Sequence, residues 1–233
     1  MSFFTRVSLG DLCLVALAAL CVWSILPVGG PDLAGMPLPG YSCSNPQSSK
    51  VDVVDSLQEL CSLRVRPDHG AGGYKREAFG NGWADLDHDG CDTRAEILAR
   101  DLDRPRFDDS SPCRLVGGHF VDPYTGTATD FVRPPGNAVQ IDHVVALGDA
   151  WASGANEWTT EQRLKYANDP RVLVAADGQA NQDKGRLAAD GWLPANQAYR
   201  CAYARQQINI KYRWGLSVTA QERAALLQAL ARC

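Results

Sequence analysis

The sequence has no excess of positive charge. Its 23 Lys and Arg are outnumbered by 27 Asp and Glu, giving a formal net charge of −4, so the chain as a whole offers nucleic acid no basic footprint. No Cys-x-x-Cys occurs among the eight cysteines, which argues against a structural zinc site. There is no internal repeat, so a solenoid or propeller is excluded, and no module that reads base sequence is visible.

What is present suits one domain with an extension. Apolar residues make up 45% of 233 positions, an ordinary share for a chain with a real core. Charge is uneven along the chain: from Arg133 to Trp214 there are ten Lys/Arg against eight Asp/Glu, which allows a local positive groove. Arg6 precedes an apolar run of 17 residues from Leu12 to Val28, closed by Pro27, Gly29 and Gly30. That run is longer than most signal cores and just short of a comfortable membrane span. No clear small-x-small cleavage site follows, since Pro31 obstructs one candidate, and Leu20 is too large to precede a lipoprotein Cys21. Residues 1–30 therefore read as a signal peptide or an anchor on the outer face of the membrane, 31–49 as a Pro/Gly/Ser-rich linker, and 50–233 as the working domain.

Cysteine usage agrees with export. Cys13 and Cys21 lie in the apolar run, leaving an even six, for which fifteen pairings are open. Local pairs are favoured: Cys43–Cys61, Cys91–Cys113 and Cys201–Cys233.

Periodicity predicts helices over 52–60, 95–102, 146–153, 160–167, 180–189 and 198–214, the last ended by Gly215. Thr219-x-x-Glu222 is a capping box opening a final helix. Short strands are expected at 63–65, 138–145 and 171–175, and a hairpin at 120–131 around Asp122-Pro123 and Thr125-Gly126.

Two segments carry the chemistry. Ile141-Asp142-His143-Val144-Val145-Ala146-Leu147 ends a strand, and Asn181-Gln182-Asp183-Lys184-Gly185 follows some forty residues later on a helix, with the 171–175 strand between. Either piece alone is common. Together with Tyr74-x-Arg76-x-x-Phe79-Gly80, Gly90-Cys91-x-Thr93-Arg94 and Trp192-Leu193-Pro194, in that order, the chain resembles the His-Asn-His (HNH) nucleases. More narrowly it resembles exported relatives of the C-terminal nuclease domain of GmrSD-type restriction enzymes, over roughly residues 74–233.

The resemblance implies an α+β fold. It has a ββα-metal core at about 137–189, with added helices and a β-hairpin, stapled by disulfides. It implies a metal-dependent endonuclease that hydrolyses phosphodiester bonds of nucleic acid, DNA in particular, outside the cytoplasm. His143, with an ordinary pKa near neutrality, is the general base. Asp142 and Asn181 supply hard oxygens for Mg²⁺ or Mn²⁺. Lys184, one helical turn after Asn181, meets a phosphate, as do Arg76 and Arg94. Adjacent strand residues point to opposite faces, so the strand is expected to end or twist at Asp142–His143. Asp149 is a candidate supporting residue. The family's middle asparagine, which braces the loop carrying the base, falls near Val172 here, with Asn168 close by. Contacts are expected to be mainly with the nucleic-acid backbone, and the protein is expected to be a monomer.

A second pattern is separate. Asp85, Asp87, Asp89, Gly90 and Glu96 occupy positions 1, 3, 5, 6 and 12 of an EF-hand loop. Position 8 is Asp92 rather than an apolar residue, and the entering segment is a poor helix former, so this is not half of a paired sensor. It reads as a structural Ca²⁺ loop beside a disulfide or as a solvated acidic turn. The competing function is accordingly a non-enzymatic calcium-binding envelope protein with a decayed nuclease fold. The tryptophans at 83, 151, 158, 192 and 214 read as packing residues.

Overall fold

A computed structural model describes residues 42–43, 51–67, 72–132 and 138–233. The apolar run at 12–28 and most of the linker lie outside these residues, as does Arg133. Among the described residues no helix is long and apolar enough to cross a membrane.

The centre of the molecule is a two-stranded antiparallel ribbon. β4 (Val139–His143) pairs with β5 (Leu173–Asp177) from Val139↔Asp177 to His143↔Leu173. The next amide continues the ladder, since Val144 N donates to the Val172 carbonyl at 2.8 Å. Asp177 ends β5 and caps α5 (Gly178–Lys184), its carboxylate accepting from the amides of Gln179 and Ala180. Strand, strand and helix thus follow one another directly. The excursion between the strands holds α3 (Leu147–Ala152) and α4 (Thr160–Ala167), the latter opened by a Thr159/Gln162 capping box.

The outer edge of β5 is not left bare. α2 (Thr93–Asp101) lies beside it, and two side chains from its last turn act as a substitute strand. Arg100 donates to the Leu173 carbonyl at 2.8 Å, and Asp101 accepts the Ala175 amide at 2.8 Å. Covering an edge in this way blocks strand addition from another chain. A second antiparallel sheet, in the order β1 (Asp103–Asp108), β2 (Ser111–Val121), β3 (Ala128–Val132), follows α2. Asp122 organises its second turn by accepting the Thr125 amide.

Three apolar clusters result. One, around Leu98, Leu115, Phe120, Ile141 and Leu173, joins α2 to both sheets. A second surrounds Tyr124, Val144, Tyr166, Val172 and Tyr203. The third joins α1 (Val51–Ser62), α6 (Arg200–Arg213) and α7 (Ala220–Leu230) through Leu57, Leu60, Ile208, Leu226 and Leu230. Trp151, Trp158, Trp192 and Trp214 pack against the second cluster.

Disulfides join Cys43 to Cys61, Cys91 to Cys113, and Cys201 to Cys233. The last closes a sequence separation of 32 residues. Loop-closure entropy gives such a bridge about 3–4 kcal/mol. The double variant Cys201→Ser/Cys233→Ser is expected to melt roughly 10 °C lower in a circular-dichroism scan under oxidising conditions.

Several expectations change. The strand expected at 63–65 is only an isolated bridge between Val65 and Val218. The helix expected over 180–189 is α5, shifted to 178–184, because Asp177 caps it early and Gly185, at φ 51°, ends it. β1 and the first half of β2 were not anticipated. Arg104-Pro105-Arg106 and the pair Gly117-Gly118 give no alternating pattern, and the pairing itself is irregular, with register shifts along β1.

Candidate functional site

β4 divides the site in two. β4 ends at His143, as expected, with the Val144 amide still paired to the Val172 carbonyl, and the side chains of Asp142 and His143 leave the strand on opposite faces. Val139 and Ile141 face the cluster under α2, as His143 does, while Gln140 and Asp142 face α5.

On its face, His143 is 5% exposed and stacks on Trp83, with ring centroids 5.6 Å apart and planes 11° from parallel. Its Nε2 lies 2.9 Å from the Ala167 carbonyl. A carbonyl carries no proton, so Nε2 must be the protonated nitrogen and Nδ1 keeps its lone pair. Burial depresses the ring pKa to about 3, opposed by the Ala167 bond and reinforced by the charges of Arg76 and Lys184. The imidazole is therefore neutral at physiological pH, but a weaker base than the near-neutral ring expected from the sequence, because burial disfavours its charged form. The ring borders a cleft of about 50 Å³ lined also by Arg76, Phe79, Gly80, Gly82, Trp83 and Leu147, room for a few water molecules. Arg76 is exposed and makes no hydrogen bond or ion pair with any described residue, so its guanidinium is available to an anion.

The brace for this arrangement is Asn168, immediately after the carbonyl that holds the ring. It is buried, accepts the Ala84 amide at 2.9 Å and donates to the Leu164 carbonyl at 3.0 Å. It thereby ties the segment carrying Trp83 to the end of α4. Val172 is wholly buried in the apolar core.

On the opposite face, Asp142 is 5% exposed and fully engaged. Lys184 Nζ lies 3.0 Å from its Oδ1 and 2.9 Å from its Oδ2, and the Tyr124 hydroxyl donates to Oδ2 at 2.5 Å. Burial raises the Asp142 pKa, and the Lys184 charge and the hydrogen bonds from Tyr124, Lys184 and the His143 amide only partly offset that. Lys184 was expected at a phosphate; instead its ammonium is wholly buried and also donates to the His143 carbonyl at 2.8 Å. Asn181, one turn earlier on α5, donates its amide to Gln140 Oε1 at 2.8 Å. The structure thus gathers Asp142, Lys184, Asn181 and Gln140 at the β4–α5 junction, and His143, Trp83 and Arg76 on the other side of the strand. Arg94 sits on α2, where its guanidinium donates to the Val139 carbonyl at 3.5 Å.

These residues fit a divalent ion in kind. A carboxylate, two side-chain amides and a main-chain carbonyl are hard oxygen donors, and a cation, the Lys184 ammonium, already meets the carboxylate and the carbonyl.

Sequence reasoning missed Tyr124, Gln140 and the Ala167 carbonyl. No motif marks them, since each acts through a contact between distant segments. Asp149 is not at the site; it belongs to a buried ion cluster with Lys211 and Glu222.

The acidic loop is a compact turn. Carboxylate oxygens of Asp85, Asp87 and Asp89 lie within 4.8 Å of one another. Asp85 accepts the amides of His88 and Gly90, and Gly90, at φ 94°, supplies the left-handed turn. Glu96 has its pKa raised, first by burial and then by the charges of Asp87, Asp89 and Asp85, so it stands in their field.

Residues 92–229 match the family model of the GmrSD restriction endonucleases, C-terminal domain. The chain belongs to this family. It therefore carries a nuclease-like domain, within which Asp142, His143, Asn181 and Lys184 all fall, while Arg76, Trp83 and the carboxylates at 85, 87 and 89 lie before the matched span. An uncharacterized secreted protein of Arthroderma benhamiae (strain ATCC MYA-4681 / CBS 112371) is 36% identical over 192 residues, covering 81% of this chain and 90% of that protein. No solved structure matches.

Proposed function

We propose that this GmrSD-family protein is an exported endonuclease that hydrolyses phosphodiester bonds in nucleic acid, DNA first, with His143 as the general base. The observation that carries this reading is the fixed tautomer: the Ala167 carbonyl holds the Nε2 proton, which leaves Nδ1 as the basic nitrogen of a ring that lines a small cleft together with Arg76. In this reading Nδ1 takes a proton from a water as its oxygen attacks phosphorus, Arg76 holds a phosphate oxygen, and Trp83 and Asn168 fix the ring. Asp142 and Asn181, on the opposite face of β4, are the residues that would hold Mg²⁺ or Mn²⁺, an ion that would supply Lewis-acid charge there, while the phosphate at the His143 cleft is met by Arg76. The secreted relative supports action outside the cell.

The test is cleavage of supercoiled plasmid and of RNA by the purified full chain, with Mg²⁺, Mn²⁺, Ca²⁺ or EDTA in parallel. Nicking with Mg²⁺ or Mn²⁺ and none in EDTA is the expected result; no cleavage of either substrate with any ion sinks the reading.

A second reading, a calcium-binding envelope protein without activity, is favoured by the convergence of Asp85, Asp87 and Asp89. In that reading Glu96 completes the loop. If the loop holds Ca²⁺, millimolar Ca²⁺ at ten times its dissociation constant stabilises the fold by about 1.4 kcal/mol, a rise of roughly 3–6 °C in melting temperature that Asp85→Asn/Asp89→Asn removes. A Ca²⁺-dependent melt together with absent cleavage selects this reading over the nuclease.

A further inference from the structure

Lys184 is buried where its charge can serve only the protein itself. Its ammonium has no exposure and three oxygen contacts: both carboxylate oxygens of Asp142, at 3.0 and 2.9 Å, and the His143 carbonyl at 2.8 Å. Asp142 has almost no solvent to turn to, and its further partners are the Tyr124 hydroxyl and the His143 amide. A buried carboxylate in this position needs a cation. Asn181 and Gln140 bring two amide side chains to the same face, one from α5 and one from β4. The two Asp142 carboxylate oxygens and the His143 carbonyl therefore make a seat for positive charge, and Lys184 from α5 fills it.

We infer that Lys184 is the resident cation of this seat and competes with a divalent metal ion for Asp142. The inference rests on the nuclease reading only for the class of ion. An ammonium and a dication cannot both lie about 3 Å from one carboxylate without strong like-charge repulsion, so Lys184 must withdraw from Asp142 before that carboxylate can accept Mg²⁺ or Mn²⁺. The ion's apparent affinity is then reduced by the fraction of molecules in which the lysine is engaged. In exchange, the lysine keeps Asp142 neutralised and the His143 main chain anchored whenever the metal is absent. Lys184 is thus a positioning residue rather than a phosphate ligand.

The experiment measures Mn²⁺ binding to EDTA-treated full-length protein by the loss of the free-ion electron paramagnetic resonance signal, with thermal melts on the same samples. Binding in Asp142→Asn is subtracted from every curve, because the loop at 85–89 can take up Mn²⁺ of its own. Lys184→Met is expected to bind Mn²⁺ at the Asp142-dependent site about tenfold more tightly than the wild type. It is also expected to melt lower without metal and to gain more from Mn²⁺. Affinity equal to or weaker than the wild type overturns the inference. Should Lys184→Met fail to fold, Lys184→Gln, which keeps a hydrogen-bond donor and removes the charge, carries the same comparison. Tightened Mn²⁺ binding with no cleavage of any nucleic acid supports the exchange and overturns the hydrolase; metal-dependent cleavage with unchanged affinity in the variant does the reverse.

Discussion

Plasmid cleavage by His143→Ala is expected to fall by about 10²–10⁴-fold, the usual share of a general base. The ring is also a structural part: it stacks on Trp83 and supplies the donor for the Ala167 carbonyl. Truncation leaves that carbonyl unpaired and a hole beneath the indole, at a cost of about 1–3 kcal/mol, so the alanine variant should melt several degrees lower yet remain folded. His143→Gln separates the two roles. Its side-chain amide can still donate to the Ala167 carbonyl but has no basic nitrogen, so its melt should recover much of the loss while its cleavage stays as low as that of alanine. Cleavage by the glutamine variant at near wild-type rates would remove His143 from the chemistry. Arg76→Ala offers a milder comparison. The guanidinium is exposed and makes no hydrogen bond or ion pair with a described residue, so its loss should leave the melt nearly unchanged and weaken catalysis.

Lys211→Met should be the most damaging single change to stability outside the site. Lys211 is fully buried between Asp149 Oδ2 at 2.9 Å and Glu222 Oε1 at 2.6 Å, both also buried, with Arg66 3.8 Å from Asp149. Removing the shared cation strands two carboxylates away from water. Breaking a buried ion network from one side costs about 3–5 kcal/mol, or roughly 10 °C or more in melting temperature for a domain of this size.

The same cluster fixes a pH dependence. Burial raises the Glu222 pKa to about 7, against the pull of Lys211 and with the charge of Asp149 adding to the rise. A carboxyl whose folded pKa lies above its ordinary value of 4.5 binds its proton more tightly in the folded state. Its contribution to stability is therefore fully present below pH 4.5 and is lost as pH rises to about 7, at no more than about 1.4 kcal/mol per pH unit for one proton. Lys211, whose pKa is raised by Asp149 and Glu222 despite burial, contributes stability that is lost only above its ordinary value of 10.5. Urea unfolding of wild type and Glu222→Gln between pH 4.5 and 7.5 should show a shallower fall in the variant. Parallel curves would mean that Glu222 does not titrate in this window.

Much of the architecture near the site could be read in the chain because it is local. Capping boxes at Thr159/Gln162 and Thr219/Glu222, the turn at Asp122, and Gly215 at φ 64° after α6 are each set by a few neighbouring side chains. The Asp-His and Asn-x-x-Lys-Gly segments do fall on one strand and the helix beside it. The irregular sheet was not legible, because its stabilising partner is α2 and the rest of the chain, not a pattern within β1.

The sequence by itself determined the family, the export-type cysteine set and the residues that can do chemistry, since these depend on residue type and order. Tertiary structure alone decided how those residues divide. An unbroken ladder through His143 sends adjacent side chains to opposite faces, so one neighbour meets a cleft and the other a buried lysine. Which cation answers Asp142, and which carbonyl fixes the His143 tautomer, depends on contacts spanning 42 and 24 residues of chain. No local preference encodes a pairing across that distance; it exists only once the strands and helices have packed.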